Sequence, residues 1–166
     1  MENGIERRNQ GTGLGGILVN PGEIAVVEDG TPLLTIVSTG VAVCLWEPAR
    51  HVAGLAHFYE SIVRDPARAT ARYGSVAVPH MVSLVRRWSP ESACEAQIYG
   101  GAELQHDDHR GRENVALAQR LLERLRVPVV SQDVGGSKGR KLVFDSRNGN
   151  VGVVKVHALR ETDWNA

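Results

Sequence analysis

A chain of 166 residues is a normal size for one domain and can bury a core without disulfide or metal staples. Its 19 Lys and Arg balance 19 Asp and Glu, so it has no general electrostatic claim on nucleic acid or anionic lipid. Cys44 and Cys94 both sit inside apolar runs, and those runs are strand-sized. This pattern implies a reducing compartment with buried thiols, no disulfide framework and no membrane insertion.

Residues 1–19 read as a flexible N-terminal tail, polar at first and then rich in glycine. Arg7 and Arg8 have no apolar stretch behind them, so no signal peptide is read and a cytoplasmic protein is expected. Gly11, Gly13 and Gly16 satisfy G-x-G-x-x-G spacing. That phosphate-binding turn needs a strand before it and a helix after it. Here a charged tail precedes and a strand-like run follows, which suits a loose linker.

The domain is expected over residues 20–157, with a polar C-terminal tail over 158–166. Strand patterns cover Glu23–Val27, Leu33–Val37, Val41–Trp46 and Val52–Phe58, with a turn signal at Asp29-Gly30. The period then changes. Val78, Met81, Val82 and Val85 follow i, i+3, i+4, i+7 spacing and predict a helix over about 73–88, with Pro79 in its first turn. Cys94–Tyr99 reads as a strand ending at Gly100-Gly101, and residues 105–112 as a polar loop. Val115, Ala118, Leu122 and Leu125 predict a second helix over about 112–126. Val127–Val130 reads as a strand. Lys141–Phe144 and Val151–Val156 form a hairpin across Arg147-Asn148-Gly149-Asn150. Strands come in a run before the first helix and then mix with helices. The order favours an α+β layered sandwich over a doubly wound parallel sheet.

Several phrases then form an ordered set. They begin with Gly22-Glu23-Ile24-Ala25-Val26, Val41-Ala42-Val43-Cys44-Leu45-Trp46-Glu47-Pro48 and Gly54-Leu55-Ala56-His57. Arg72-Tyr73, Ala77-Val78-Pro79, Ile98-Tyr99-Gly100-Gly101-Ala102-Glu103 and Gly111-Arg112-Glu113-Asn114 follow, and Gln132-Asp133-Val134-Gly135-Gly136 and Gly139-Arg140-Lys141 close the set. In order and spacing it resembles the CheD family of chemoreceptor glutamine deamidases, over roughly residues 20–156. The resemblance implies a three-layer α/β/β sandwich, also seen in the cytotoxic necrotizing factor toxins. It implies a hydrolase that converts receptor glutamines to glutamates without a metal or other cofactor. In that family a cysteine thiolate attacks the carboxamide carbon, and a histidine activates the thiol and delivers a proton to the departing ammonia. A threonine orients the histidine, and water hydrolyses the thioester. The implied partners are the cytoplasmic domains of methyl-accepting chemoreceptors and a CheC-type phosphatase.

Carried over residue by residue, the pattern departs at its centre. The family's Gly-Ser-Cys falls on Ser38-Thr39-Gly40, so Gly40 stands where the nucleophile is expected. The histidine falls on His57 and the orienting threonine on Leu34, with Thr35 one position away. Cys44 shares the strand face of residue 40, but at ~3.3 Å per residue it lies about 13 Å along. It therefore reads as a core thiol, and so does Cys94. Ser38 and Thr39 are nearer, but a hydroxyl needs a well-placed base and oxyanion donors. His106-Asp107-Asp108-His109 has metal-ligand spacing within a polar loop, and residues 135–141 could cradle an anion, though a Gly-rich turn suffices. The expectation is a CheD-like pseudoenzyme acting in signal transduction by binding receptor or partner. The alternatives are an amidohydrolase with an unusual nucleophile and a small-ligand sensor in the vacated cleft.

Overall fold

The computed structural model describes residues 15–88, 93–104 and 109–157. Residues 11–14 of the glycine motif, the Ser89-Pro90 turn, residues 106–108 and the 158–166 tail lie outside the described residues. Among the described residues, nine strands and two α-helices make three layers. They are β1 (Ile17–Leu18), β2 (Glu23–Val27), β3 (Leu33–Val37), β4 (Val41–Glu47), β5 (Val52–Phe58), α1 (Gly74–Trp88), β6 (Glu95–Gly100), α2 (Arg110–Arg124), β7 (Val129–Val134), β8 (Gly139–Phe144) and β9 (Val151–Val156). One sheet has the order β2-β5-β4-β6-β7 and the other β1-β3-β8-β9. Both helices pack on the five-stranded sheet, giving the α/β/β sandwich.

Burial follows from this layering. β4 and β5 lie between the helices and the second sheet, so all seven residues of each are buried. Strands covered on both faces read as near-continuous apolar runs, and these two do. Val41, Val43, Leu45, Ala56 and Phe58 meet Val78, Met81, Val82, Val85, Ala118 and Leu122 from the helices. Ala42, Cys44, Trp46, Ala53 and Leu55 meet Leu33, Val37, Leu142 and Phe144 from the second sheet.

Four expectations are corrected. The tail expected through residue 19 ends earlier, because Ile17 and Leu18 pair in parallel with Leu33 and Leu34 and Val19 is buried. Pro79 is the sixth residue of α1, not in its first turn. Its missing N–H leaves one i→i−4 bond unmade inside the helix, and burial of the adjacent Ala77, Val78 and Met81 offsets that loss. The strand expected at Val127–Val130 begins at Val129 and runs to Val134, because Pro128 offers only its carbonyl, which accepts from the Ala96 N–H. Finally, α2 spans 110–124. It begins inside the expected loop, and it ends before Leu125 because Arg126 adopts a left-handed φ of 57°.

Candidate functional site

Period-two alternation on three strands builds the site. On β5, Ala53 and Leu55 turn toward the second sheet, and His57 continues that face. On β3, Leu33 and Val37 turn toward β5, with Thr35 between them. On β4, Trp46, Cys44 and Ala42 point into the same layer, and stepping back by two reaches Gly40. Thr35 and His57 are only 1% and 3% exposed, so their polar atoms must find partners inside the protein.

They find each other. Thr35 Oγ1 lies 2.7 Å from the Val19 carbonyl oxygen and 2.9 Å from His57 Nδ1. A hydroxyl has one proton, and a carbonyl can only accept. The Thr35 proton therefore goes to Val19, and Thr35 accepts from His57 Nδ1–H. This fixes the tautomer: the neutral ring carries its lone pair on Nε2. Burial lowers the His57 pKa to about 4, outweighing the opposing effects of the Val19 carbonyl and the Glu23 charge. Near neutral pH the imidazole is uncharged.

Nε2 faces the backbone of residue 40. Val41 pairs with both Phe58 and Gly100, so Gly40 stands one step beyond the ladder, at the mouth of β4. A Cβ at Gly40 would stand 3.2 Å from His57 Nε2, 2.8 Å from the Phe58 carbonyl oxygen and 3.3 Å from Tyr59 Cβ. A thiol there would be within reach of the base. Glycine supplies none, so the Nε2 lone pair faces residue 40 with no thiol there to activate.

Leu34 is not beside this histidine. Alternation turns it to the opposite face of β3, and in the ladder it stands in register with Leu18 of β1. The hydroxyl that touches His57 belongs to Thr35, one residue on. Matching the alternation of β3 to that of β5 points to Thr35, whereas counting residues back from position 40 points to Leu34. Ser38 and Thr39 are half-buried in the bend before β4, and neither hydroxyl bonds a described residue. Cys44 is 1% exposed and faces the inter-sheet core, where burial pushes its thiol pKa up. Burial also raises Cys94, against the opposing Arg86 charge. Neither thiol sits beside His57.

The rim is held by backbone bonds. The Gly101 N–H donates to the Gly40 carbonyl at 2.7 Å and the Ala102 N–H to the Ser38 carbonyl at 2.9 Å. Gly100 has a φ of 107°, and a side chain on it would collide with the Gly40 carbonyl, so only glycine lets β6 close here. On the other side, the Gly22 N–H donates to the His57 carbonyl at 2.7 Å. Buried Asn114 donates to the Tyr59 carbonyl and accepts from the Ser61 hydroxyl, fixing the β5 exit loop. The Tyr59 ring remains 40% exposed beside the site. Among the described residues, no group of three or more His, Cys, Asp and Glu is placed to hold a metal ion, and no helix is long and apolar enough to cross a membrane.

Thr35→Val gives a direct check. It strands the Val19 carbonyl and the His57 Nδ1–H in a dry layer, so a loss of about 1–3 kcal/mol is expected in urea unfolding. Thr35→Ser should recover most of it, because it restores the hydroxyl. A loss below ~0.5 kcal/mol for Thr35→Val would remove the network from the account.

Comparison with known proteins agrees with this architecture. The family described as CheD chemotactic sensory transduction matches residues 60–155, a stretch that starts just after His57. A probable chemoreceptor glutamine deamidase CheD 1 of Anaeromyxobacter dehalogenans is 38% identical over 144 residues, covering 84% of each chain. A probable chemoreceptor glutamine deamidase CheD of Trichlorobacter lovleyi is 31% identical, over 79% of this chain and 84% of its own. One of Pseudomonas savastanoi is 30% identical over 87% of each. Matches of this extent, together with the sandwich and the ordered phrases that run through it, make the chain a member of the CheD family.

Proposed function

We propose that this protein is a CheD-like chemotaxis protein whose amide-hydrolysing site is impaired. In this reading it works in the cytoplasm, through a single CheD-like domain, by binding chemoreceptor cytoplasmic segments or a CheC-type phosphatase. One observation carries the reading. His57 keeps its hydrogen-bonded partner and aims a bare Nε2 at residue 40, and residue 40 has no side chain. Thr35 then stands as the group that orients His57. The relatives' names supply the substrate class, glutamine side chains of chemoreceptors.

Incubation of the purified protein with chemoreceptor cytoplasmic segments should show binding. Ammonia release should be no faster than that of the His57→Ala variant. An electrophilic glutamine analogue should leave no adduct on Ser38, Thr39 or Cys44 by mass spectrometry. Release that depends on His57, or an adduct at any of these three residues, would overturn the reading in favour of a working amidohydrolase.

A further inference from the structure

The turn between β7 and β8 opens a groove of about 280 Å³ whose lining includes Asp133, Gly135, Gly136, Lys138, Arg140 and Lys155. Two cations, Arg140 and Lys155, hold the one carboxylate, and Lys138 lines the same groove. Arg140 is 2% exposed and donates to the Lys138 carbonyl at 2.9 Å, the Gly135 carbonyl at 2.8 Å and Asp133 Oδ1 at 2.9 Å, while its Nε has no acceptor. Lys155 Nζ lies 3.2 Å from the same Asp133 oxygen. Lys138 makes no ion pair with a described residue, so the groove keeps an excess of positive charge although the whole chain is neutral. Gly135 and Gly136 have φ of 74° and 69°, and no atom lies within 4 Å of where a side chain on either would stand. The floor is therefore bare backbone, open to a ligand.

The groove is tied to the site. The Gly135 N–H donates to the Gly100 carbonyl, the Glu103 N–H to the Gly136 carbonyl, and the Gly101 N–H to the Gly40 carbonyl. Two hydrogen bonds and one peptide step thus separate the turn from residue 40. The nearby Glu103 is engaged by Arg112 at 3.0 Å.

We infer that this groove recognises carboxylate side chains of an acidic peptide segment of a protein partner, presented next to position 40. The inference rests on the binding role proposed above. The donor set decides between a peptide carboxylate and a phosphate. The guanidinium fork, which suits phosphate, is already turned onto Asp133 and two carbonyls. What remains outward is a pair of lysine point charges beside a fixed carboxylate that repels a dianion. Because the family's reaction turns a glutamine amide into a glutamate, such a groove favours segments already in the acid form. The protein would distinguish product-state from substrate-state receptor segments.

The test titrates the full chain with tetraglutamate, tetraglutamine and inorganic phosphate, followed by backbone amide NMR shifts. Tetraglutamate should bind at least about tenfold tighter than tetraglutamine, with shifts at residues 135–138 and weakening as salt rises. Lys138→Gln combined with Lys155→Gln should abolish the preference while leaving the fold intact, since both side chains reach solvent. Equal binding of the two peptides, an unchanged preference in the double variant, or phosphate binding as tightly as tetraglutamate would each overturn it. None of these peptides is a receptor segment, and buried His57 is not part of the groove lining. The groove can therefore fail while the receptor-binding reading stands, and the reverse is equally visible.

Discussion

Replacement of Gly40 by cysteine is expected to raise glutamine deamidase activity well above that of the parent. The introduced Cβ would stand 3.2 Å from His57 Nε2, which places a thiol one bond further out within reach of a base whose lone pair already faces it. A neutral imidazole can take the thiol proton and form a thiolate–imidazolium pair, the activated state of such nucleophiles. Ammonia release from receptor glutamines should rise at least about a hundredfold over the parent. The thiol should react with iodoacetamide faster than Cys44 or Cys94, both of which are buried. The substitution has a steric cost. The Phe58 carbonyl oxygen would lie 2.8 Å from the new Cβ, closer than a real side chain tolerates, so the mouth of β4 must open by a few tenths of an ångström. Overpacking of this kind costs about 1–3 kcal/mol. Gly40→Ala carries the same Cβ without the thiol and isolates that cost. If Gly40→Cys folds as well as Gly40→Ala, exposes a reactive thiol and still releases no ammonia, then a missing nucleophile at residue 40 is not what limits this site.

Much of the fold was legible because its signals are local. The stripe Val78, Met81, Val82, Val85 needs only the helical period, and it is buried as spaced. Continuous apolar runs at Val41–Trp46 and Val52–Phe58 reflect burial on both faces, and those strands form the middle layer. What failed depends on contacts distant in sequence. Ile17 and Leu18 look like tail until β3 is there to pair with them. The partner of His57 could not be fixed by counting back from residue 40, because strand facing and not offset decides which side chain meets the ring. The closeness of Gly40 to the Phe58 carbonyl has no sequence signature at all, since it arises where β4, β5 and β6 converge. The charge in the β7–β8 groove was visible as a run of Lys and Arg. Its size depends on Lys155 arriving from β9, opposite Arg140.

The burial of His57 also has a thermodynamic consequence, which appears in the pH dependence of stability. His57 titrates near 6.5 when exposed and near 4 in the folded protein, because burial disfavours its cation. Between those values the unfolded chain binds more protons than the folded one, so stability rises with pH across this window. The contribution is fully present above about pH 6.5 and is lost as pH falls toward 4. A shift of this size corresponds to about 3 kcal/mol, the largest single-group effect expected here. Asp145, Asp133 and Asp29 are held below the ordinary carboxylate range, so their contributions disappear at lower pH, in a separate window. The measurement is urea unfolding at steps from pH 7.5 to 4.5. The parent should lose stability at up to about 1.4 kcal/mol per pH unit toward the lower end. His57→Asn keeps a donor for Thr35 but cannot titrate, so its profile should be flatter by as much as one proton. Parallel profiles for the two proteins would mean that His57 is not the neutral, buried base described here. In Gly40→Cys the slope should stay close to that of the parent, because a thiolate–imidazolium pair holds the same single proton as a thiol beside a neutral ring. The comparison of the parent with His57→Asn therefore reports whether His57 is held neutral in the folded protein.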